Sequence, residues 1–206
     1  MTLISRNSAW LGLLFIGAAL AWLTAPAAQA ASAEEIDIKV DAALEKFRDK
    51  VDGADDFLAS AKGVLVFPAV YKAGIGIGGE YGQGALRIGG KTVDYYNTVA
   101  GSIGFQLGAQ AKTVIIVFME DKALDKFRNS KGWEAGVDGS VALVELGAGG
   151  SLDTTNIRDP IVGFVFANRG LMYNLTLEGS KITKIDKSRG DDADKADDSD
   201  KAGDKT

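Results

Sequence analysis

The chain has 206 residues, with 26 glycines, three prolines and a net charge of −5, and it contains neither cysteine nor histidine. This length suits one domain rather than two. Without cysteine and histidine the chain can form no disulfide, thiolate nucleophile, imidazole zinc site or Ser-His-Asp triad. The composition does not exclude a carboxylate site for Ca²⁺ or Mg²⁺. It also does not exclude a hydrolase that uses two carboxylates. Residues 31–190 carry 21 acidic and 19 basic side chains, a balance that argues against a nucleic-acid binder.

The first 30 residues predict a secretory signal peptide. Arg6 supplies a positive charge, the run 9–23 is apolar and uncharged, and Ala28-Gln29-Ala30 offers the small residues of a cleavage site. Cleavage is expected after Ala30, with cleavage after Ala33 as the alternative. A retained membrane anchor is less favoured, because the apolar run is short for a span of roughly 20 residues. We therefore expect a periplasmic or secreted protein, with peripheral attachment to a membrane left open.

An amphipathic helix is predicted over residues 33–52. Ser32 and Glu35 form a capping-box pattern, and apolar residues then recur at helical spacing. Gly53 suits the end of this helix. A short further turn of helix is predicted over Asp56–Lys62.

After Gly63 the pattern changes to short strands and glycine-rich turns. The apolar run Val64–Phe67 is closed by Pro68, which suits a strand end, and Gly89-Gly90 suits a hairpin turn. The remaining predicted elements are strands over Tyr71–Gly79, Gly82–Ile88, Thr92–Asn97, Val99–Leu107, Thr113–Met119, Glu134–Leu146, Ile161–Ala167, Leu171–Leu177 and Ile182–Ile185, and a short helix from Asp121 to Lys131-Gly132.

Glycines alternate with Ile75 and Ile77 in the segment 74–79, which matches the letters G-x-G-x-x-G of dinucleotide-binding proteins. That motif holds a pyrophosphate at a following helix start, whereas residues 80–84 continue as turn and strand. Glycine on one face of a strand instead favours tight curvature or close backbone approach. The predicted fold class is therefore α+β, with an N-terminal amphipathic helix packed on a strongly curved, mostly antiparallel, glycine-rich sheet or partial barrel and one short internal helix.

Residues 191–206 hold seven aspartates and three lysines, a net charge of −4, and no apolar periodicity. This composition predicts a disordered, solvated acidic tail. The predicted organisation is a signal peptide over 1–30, a single domain over 31–190 and the acidic tail over 191–206.

Basic and apolar residues near the glycine-rich strands and the short helix are the candidate binding residues. The basic side chains could meet lipid phosphates and the isoleucines could take acyl chains, although a solvated polar face is the alternative for the charges. No catalytic residue is predicted, because carboxylates such as Glu80 and Asp94 are more simply solvent-facing strand residues. No cofactor and no metal site are expected. The candidate lipid-binding residues are Lys62, Lys72, Ile75, Ile77, Arg87, Lys91, Lys126 and Arg128.

Several stretches, in the same order along the chain, resemble the SYLF domain, a lipid-binding module also described as an actin-binding domain in fungal proteins. The resemblance spans about residues 33–186. It implies phospholipid binding, with phosphoinositides as the ligands associated with eukaryotic members. The stretches are Ala61–Pro68, Lys72–Gly74, Gly82–Gly84, Gly101–Gln110, Val117–Met119, Gly170–Tyr173 and Leu177–Gly179.

Because a periplasm offers neither phosphoinositides nor actin, an envelope phospholipid is the equivalent ligand for an exported bacterial branch of this family. We therefore predict a non-enzymatic, exported SYLF-like domain whose partner is phospholipid or a membrane surface. The alternatives are an interaction module that binds an envelope protein, a structural envelope module without a lipid ligand, and a hydrolase. Nucleic acid is not an expected partner.

Overall fold

The computed structural model describes residues 31–104, 110–145, 159–167, 177 and 179–187. The predicted signal peptide, the predicted acidic tail and most of the strand predicted over Leu171–Leu177 lie outside these residues. No helix in the described ranges is long and apolar enough to cross a membrane. The elements in chain order are α1 (Ala33–Lys50), α2 (Ala54–Ser60), β1 (Gly63–Ile88), β2 (Lys91–Gly104), β3 (Gln110–Phe118), α3 (Asp121–Arg128), β4 (Trp133–Glu134), β5 (Ala142–Glu145), β6 (Ile161–Ala167) and β7 (Lys181–Ile185).

The described strands form one sheet in the order β4-β7-β2-β1-β3-β6-β5, strongly curled into a half-barrel. The pairings between these strands are antiparallel except for the parallel pair β5 and β6. With α1 packed on this sheet, the predicted α+β class is confirmed.

Helix α1 begins as its capping pattern predicts. The Ser32 hydroxyl oxygen accepts a hydrogen bond from the Glu35 backbone N–H at 3.1 Å, which satisfies one of the amides that a helix start leaves unpaired. The Phe47 ring packs against Phe164 of β6, with ring centroids 4.9 Å apart. Asp37 ties the helix to β2, because the Tyr95 hydroxyl donates to one of its carboxylate oxygens at 2.9 Å. The buried stripe that faces the sheet comprises Ile36, Val40, Ala43, Leu44 and Phe47.

Each face of the sheet carries its own apolar core because successive strand side chains point to opposite faces. The face that packs under α1 and α2 is called the α1 face, and Val66 and Ala85 belong to it. The opposite face is called the Trp133 face, and it packs Leu65 and Leu86 against Trp133 and the apolar side of α3.

Strand β1 differs from its prediction, because it does not end at Pro68. It runs unbroken for 26 residues. Its first half pairs with β3 and its second half with β2. Pro68 lies where the β1–β3 register shifts between Phe67 and Val70, so its missing N–H falls at an irregularity of the ladder, a position that strands allow for proline. The Pro68 carbonyl accepts a hydrogen bond from the Thr113 hydroxyl at 2.9 Å.

The two halves of β1 approach each other closely, so the strand bends sharply between them. A Cβ atom on Gly84 would lie 2.0 Å from the Val66 carbonyl oxygen, and one on Gly82 would lie 2.9 Å from the Ala69 carbonyl oxygen. The close approach predicted for the glycines of residues 74–79 is found instead at Gly82 and Gly84, whereas a Cβ atom on Gly79 would come no nearer than 3.9 Å to the Ala100 carbonyl oxygen. At the far end of β1, Gly89 and Gly90 have φ of +56° and +78°, the left-handed pair that a two-residue hairpin turn requires.

Other boundaries also differ from the predictions. The strand predicted over Glu134–Leu146 is two strands, β4 and β5, because the chain turns between them. The Glu134 N–H donates to the Asp138 carboxylate at 2.7 Å, which closes this turn, and Gly136 has a φ of +85°. Helix α3 ends at Arg128, before Lys131-Gly132.

Candidate functional site

An exposed apolar strip lies beside the bend of β1. It comprises Tyr71, Ile77, Tyr81 and Val99, whose exposed fractions are 59%, 80%, 47% and 49%. Tyr81 stands directly opposite Val99 of β2. Val99 stands opposite Lys181 of β7. A row of side chains therefore crosses these three strands and includes the exposed Lys181, and it continues to Glu134 of β4, which stands opposite that lysine.

The strip is exposed because the sheet extends past the beginning of α1. Tyr81 and Ala85 lie on the same face of β1, since they are four residues apart, yet Ala85 is buried under the helices and Tyr81 is not. The first turn of α1 reaches only the edge of the strip. There, Tyr71 and Tyr81 line a crevice of about 110 Å³ together with Ala31 and Ile36.

Polar side chains hold one border of this strip in place. The Gln83 amide nitrogen donates to the Tyr81 hydroxyl at 2.8 Å. The Lys187 ammonium donates to the Gln83 amide oxygen at 3.3 Å and to the Ala31 carbonyl at 2.7 Å. These three hydrogen bonds join the segment before α1, the second half of β1 and the segment after β7 at the same place.

Beneath the bend, the Trp133 face holds a buried cluster of charges. One carboxylate oxygen of Glu80 lies 2.7 Å from the Lys112 ammonium, and the other lies 3.5 Å from the Lys72 ammonium. The side chains of Glu80 and Lys112 are only 9% and 3% exposed. Because Lys72 and Glu80 belong to the two halves of one strand, this cluster bridges the bend, and a buried ion pair is by itself weak evidence for added stability.

The structure separates the predicted binding residues into different places. Ile77 lies in the strip, and Ile75 lies two residues before it in β1, with its side chain outside the description. Lys72 lies under the bend. Arg87 and Lys91 flank the hairpin turn at the other end of the β1–β2 ladder. The remaining three, Lys62, Lys126 and Arg128, lie at the start of β1 and on α3.

Several of these cations are engaged by neighbouring groups of the fold. The Arg87 guanidinium lies 2.9 Å from the Asp41 carboxylate, and Lys62 lies 3.7 Å from Asp121. Lys126 donates to the Asp138 carbonyl, and Arg128 lies 3.4 Å from Asp94. A phosphate would have to compete with these partners, so the lipid-binding assignment of these residues stays a prediction.

The binding residues predicted from the sequence do not include Tyr71, Tyr81, Val99 or Lys181. A signal for the tyrosines was present, because Tyr71 and Tyr81 alternate in phase with Ile77 and therefore share its strand face. The contribution of Val99 and Lys181 depends on cross-strand register, which no local pattern contains.

A second concavity lies between the helices and the β1–β2 turn, with a volume of about 750 Å³. Its arginines are held by acidic neighbours, with Arg48 2.8 Å from Asp55 and Arg87 2.9 Å from Asp41. These internal ion pairs make the cleft a weaker candidate than the strip, whose apolar side chains contact solvent.

The expectation that Glu80 and Asp94 face solvent is wrong, because the side chains of both are only 9% exposed and both are partners of cations. Glu80 is held by two lysines, and Asp94 lies beside Arg128 and Lys184. Within the described ranges no three acidic side chains are grouped so that they could hold a metal ion. These contacts favour structural ion pairs over an acid–base pair.

Residues 99–189 match the family model Ysc84, which is described as Las17-binding protein actin regulator. The search of curated proteins found no match. The matched range begins at Val99 and includes Lys181, so it contains the β2 and β7 members of the exposed row. Ysc84 is the family of the SYLF domain, so this match confirms the resemblance to the SYLF family that the sequence predicted.

Proposed function

We propose that the protein binds the surface of phospholipid bilayers, on the premise that residues 99–189 match the Ysc84 (SYLF) family, which is generally non-catalytic. The observation that carries the proposal is the exposed strip of Tyr71, Ile77, Tyr81 and Val99 at the bend of β1. A patch of exposed apolar side chains on a folded protein can mark an interaction surface, and here Tyr81 stands opposite Val99 and lines the same crevice as Tyr71.

The side chains of the strip suit the boundary between headgroups and acyl chains. Burial of an isoleucine side chain contributes about 1.5–3 kcal/mol, and Ile77 is the most exposed member. Tyrosine has an apolar ring and a polar hydroxyl, a combination enriched at membrane interfaces. Lys181, the exposed lysine that stands between Val99 and Glu134 in the row, is the proposed contact for a lipid phosphate.

Charge contributes less than apolar contact to the proposed binding. Residues 31–62 carry nine acidic and five basic side chains, a net charge of −4, while residues 63–104 carry two acidic and three basic side chains, a net charge of +1. A surface with so little excess positive charge gains little from anionic lipid. Binding is therefore expected to persist in high salt, which screens electrostatic contacts.

The proposed location is the bacterial periplasm or the exterior, after removal of residues 1–30. An envelope phospholipid is then the accessible ligand. Intact-mass measurement of the protein purified from its envelope fraction should show Ala31 as the first residue, and an intact leader would contradict the proposed cleavage.

Co-sedimentation with phosphatidylcholine vesicles tests the proposed function. Substitution Ile77→Ser should lower the partition coefficient about tenfold or more, because the apolar transfer energy of one side chain is lost. Val99→Ser should also lower it. Val93→Ser is the matched control, since Val93 is an exposed valine in the same strand but at the hairpin-turn end.

The expected result is binding that survives high salt, is weakened by the two strip substitutions and is unchanged by the control. Absence of vesicle binding, or equal weakening by all three substitutions, would overturn the proposal.

A protein partner is the second candidate, because the matched family is described by its binding of another protein. A saturable partner recovered by pull-down from envelope extracts, in the absence of any vesicle binding, would favour this alternative. In that case Ile77→Ser should weaken the protein complex.

A further inference from the structure

The bend of β1 brings two tyrosines to one crevice at the edge of the strip. Tyr71 lies before the bend and Tyr81 after it, and both line a crevice of about 110 Å³. Gly82 and Ala69 also line it, and they approach closely, since a Cβ atom on Gly82 would lie 2.9 Å from the Ala69 carbonyl oxygen. Two aromatic rings of one strand therefore border a single small space.

Much of the remaining lining of the crevice is apolar. It includes Ala31, Ile36 and Pro68. A water molecule occupies about 30 Å³ in the liquid, so the crevice has room for a group of about four non-hydrogen atoms. A nitrogen that carries three methyl groups, as in choline, has this size and presents methyl groups to the apolar lining.

The aromatic rings suit a cation of this kind. The face of a tyrosine ring carries negative electrostatic potential, and aromatic side chains recognise quaternary ammonium ligands through it. The Tyr81 hydroxyl is already held, because the Gln83 amide nitrogen donates to it at 2.8 Å and the Lys187 ammonium donates to Gln83 at 3.3 Å. A side chain that is already ordered loses less freedom on binding.

Lys39 also lines the crevice, and its charge would repel an isolated cation. Its ammonium lies 2.5 Å from the carboxylate of Glu35, and both side chains are 51% exposed. An exposed ion pair of this kind contributes little to stability, so a phosphate can compete for the lysine. A ligand that carries both a cation and a phosphate therefore fits the crevice better than a cation alone.

We infer that the crevice binds the phosphocholine head group of a phospholipid, with the trimethylammonium group against Tyr71 and Tyr81 and the phosphate at Lys39. This inference rests on the proposed lipid-binding function and adds a head-group preference to it. The apolar contact of Ile77 and Val99 does not distinguish one phospholipid from another, because the acyl layer is apolar in all of them. The crevice supplies the distinction.

Titration of the protein with soluble phosphocholine tests the site without a bilayer. The ring resonances of Tyr71 and Tyr81, assigned from the variants Tyr71→Phe and Tyr81→Phe, are followed by NMR. They should shift saturably with phosphocholine and much less with glycerol phosphate, which has the phosphate without the cation. The absence of a saturable shift, or equal shifts with the two compounds, would overturn the inference.

Tetramethylammonium, which has the cation without the phosphate, tests the role of Lys39 in the same titration. It should bind more weakly than phosphocholine, and Lys39→Gln should remove most of this difference. Equal affinities of the unaltered protein for the two compounds would contradict a phosphate contact at Lys39.

Co-sedimentation with vesicles of phosphatidylcholine and of phosphatidylglycerol tests the preference in a bilayer. The double variant Tyr71→Leu, Tyr81→Leu keeps apolar side chains but removes both rings. Its preference for phosphatidylcholine should fall about fivefold or more, because each ring contributes about two- to fivefold to the binding of a cation. The double variant Tyr71→Phe, Tyr81→Phe is the matched control, since it keeps both rings, and it should retain the preference.

An unchanged preference in the leucine variant, or an equal loss in the phenylalanine variant, would overturn the role of the rings. Vesicle binding without any phosphocholine shift would overturn the inference and leave the proposed lipid-binding function standing. A saturable phosphocholine shift without binding to either kind of vesicle would contradict the proposed function and limit the crevice to the soluble head group.

Discussion

The two ends of the α1 face of the sheet differ in their exposure to solvent. At the covered end, Val66 and Ala85 are fully buried beneath the helices. At the bare end, Ile77 and Tyr81 of the same strand are exposed. Both ends carry apolar residues in the same alternation, so the pattern of the strand does not distinguish them. What distinguishes them is that α1 begins at Ala33 and the bent strand continues past it.

This difference indicates a division of tasks along β1. The covered end provides the core that stabilises the fold. The bare end keeps apolar side chains in contact with water, which does not help the fold. Such exposure is expected where the surface binds a partner. Substitutions at the two ends should therefore separate folding from binding.

The largest expected effect is on stability at the covered end. Phe47→Ala removes a fully buried ring that packs against Phe164, and it should lower the free energy of unfolding by about 3–5 kcal/mol. Ile77→Ser at the bare end should change it by less than about 0.5 kcal/mol. Urea denaturation followed by circular dichroism measures both. A comparable loss at both ends would show that the strip is part of the core.

A smaller effect tests the bend that creates the bare end. Gly84→Ala places a Cβ atom against the Val66 carbonyl and should destabilise the protein by about 1–3 kcal/mol. Gly101→Ala is the matched control, since a Cβ atom there meets no atom within 4 Å. Thermal unfolding of the two variants compares them directly, and an equal shift would mean that β1 does not need the close approach.

The smallest expected effect on stability at neutral pH is at Tyr96. This tyrosine is buried on the Trp133 face, whereas the two tyrosines of the strip are exposed. Burial raises the pKa of the Tyr96 hydroxyl to about 12, and the Asp94 carboxylate adds to this. An unfolded tyrosine has a pKa of about 10. Between these two values the unfolded state loses its proton while the folded state retains it. The stability is therefore complete below about pH 10 and falls as the pH rises toward 12.

Tyr96→Phe should remove the loss of stability at alkaline pH that arises from this hydroxyl. The measurement is the difference in unfolding free energy between the two proteins from about pH 10 to pH 12. At neutral pH the variant should be equally stable or up to about 1 kcal/mol more stable, because the hydroxyl is buried without a hydrogen-bond partner among the described residues. A pH-independent difference would argue against burial as the cause of the raised pKa.

Local patterns in the sequence predicted the elements whose causes are local. The Ser32 cap, the buried stripe of α1 and the Gly89-Gly90 turn are each specified by a few neighbouring residues, and the structure has all three. The continuation of β1 through Pro68 was not predicted, because it depends on a register shift against β3, a partner distant in the sequence.

The candidate site was predicted only in part for the same reason. Ile77 was accessible to prediction from its alternation with glycine. The cations Lys62 and Arg87 were selected by proximity in sequence, but their carboxylate neighbours, Asp121 and Asp41, come from other elements. Charge partners of this kind are set by the tertiary fold, so the sequence alone could not show with which carboxylates a lipid phosphate would have to compete for these cations.

The hydrogen bond between Lys187 and the Ala31 carbonyl brings together two points that are 156 residues apart in the chain. An affinity tag, fluorescent protein or immobilisation linker attached near either point would therefore stand over the strip and obstruct whatever it touches. The Gly89-Gly90 turn, at the opposite end of the β1–β2 ladder and exposed to solvent, is the place where a label would leave that surface clear.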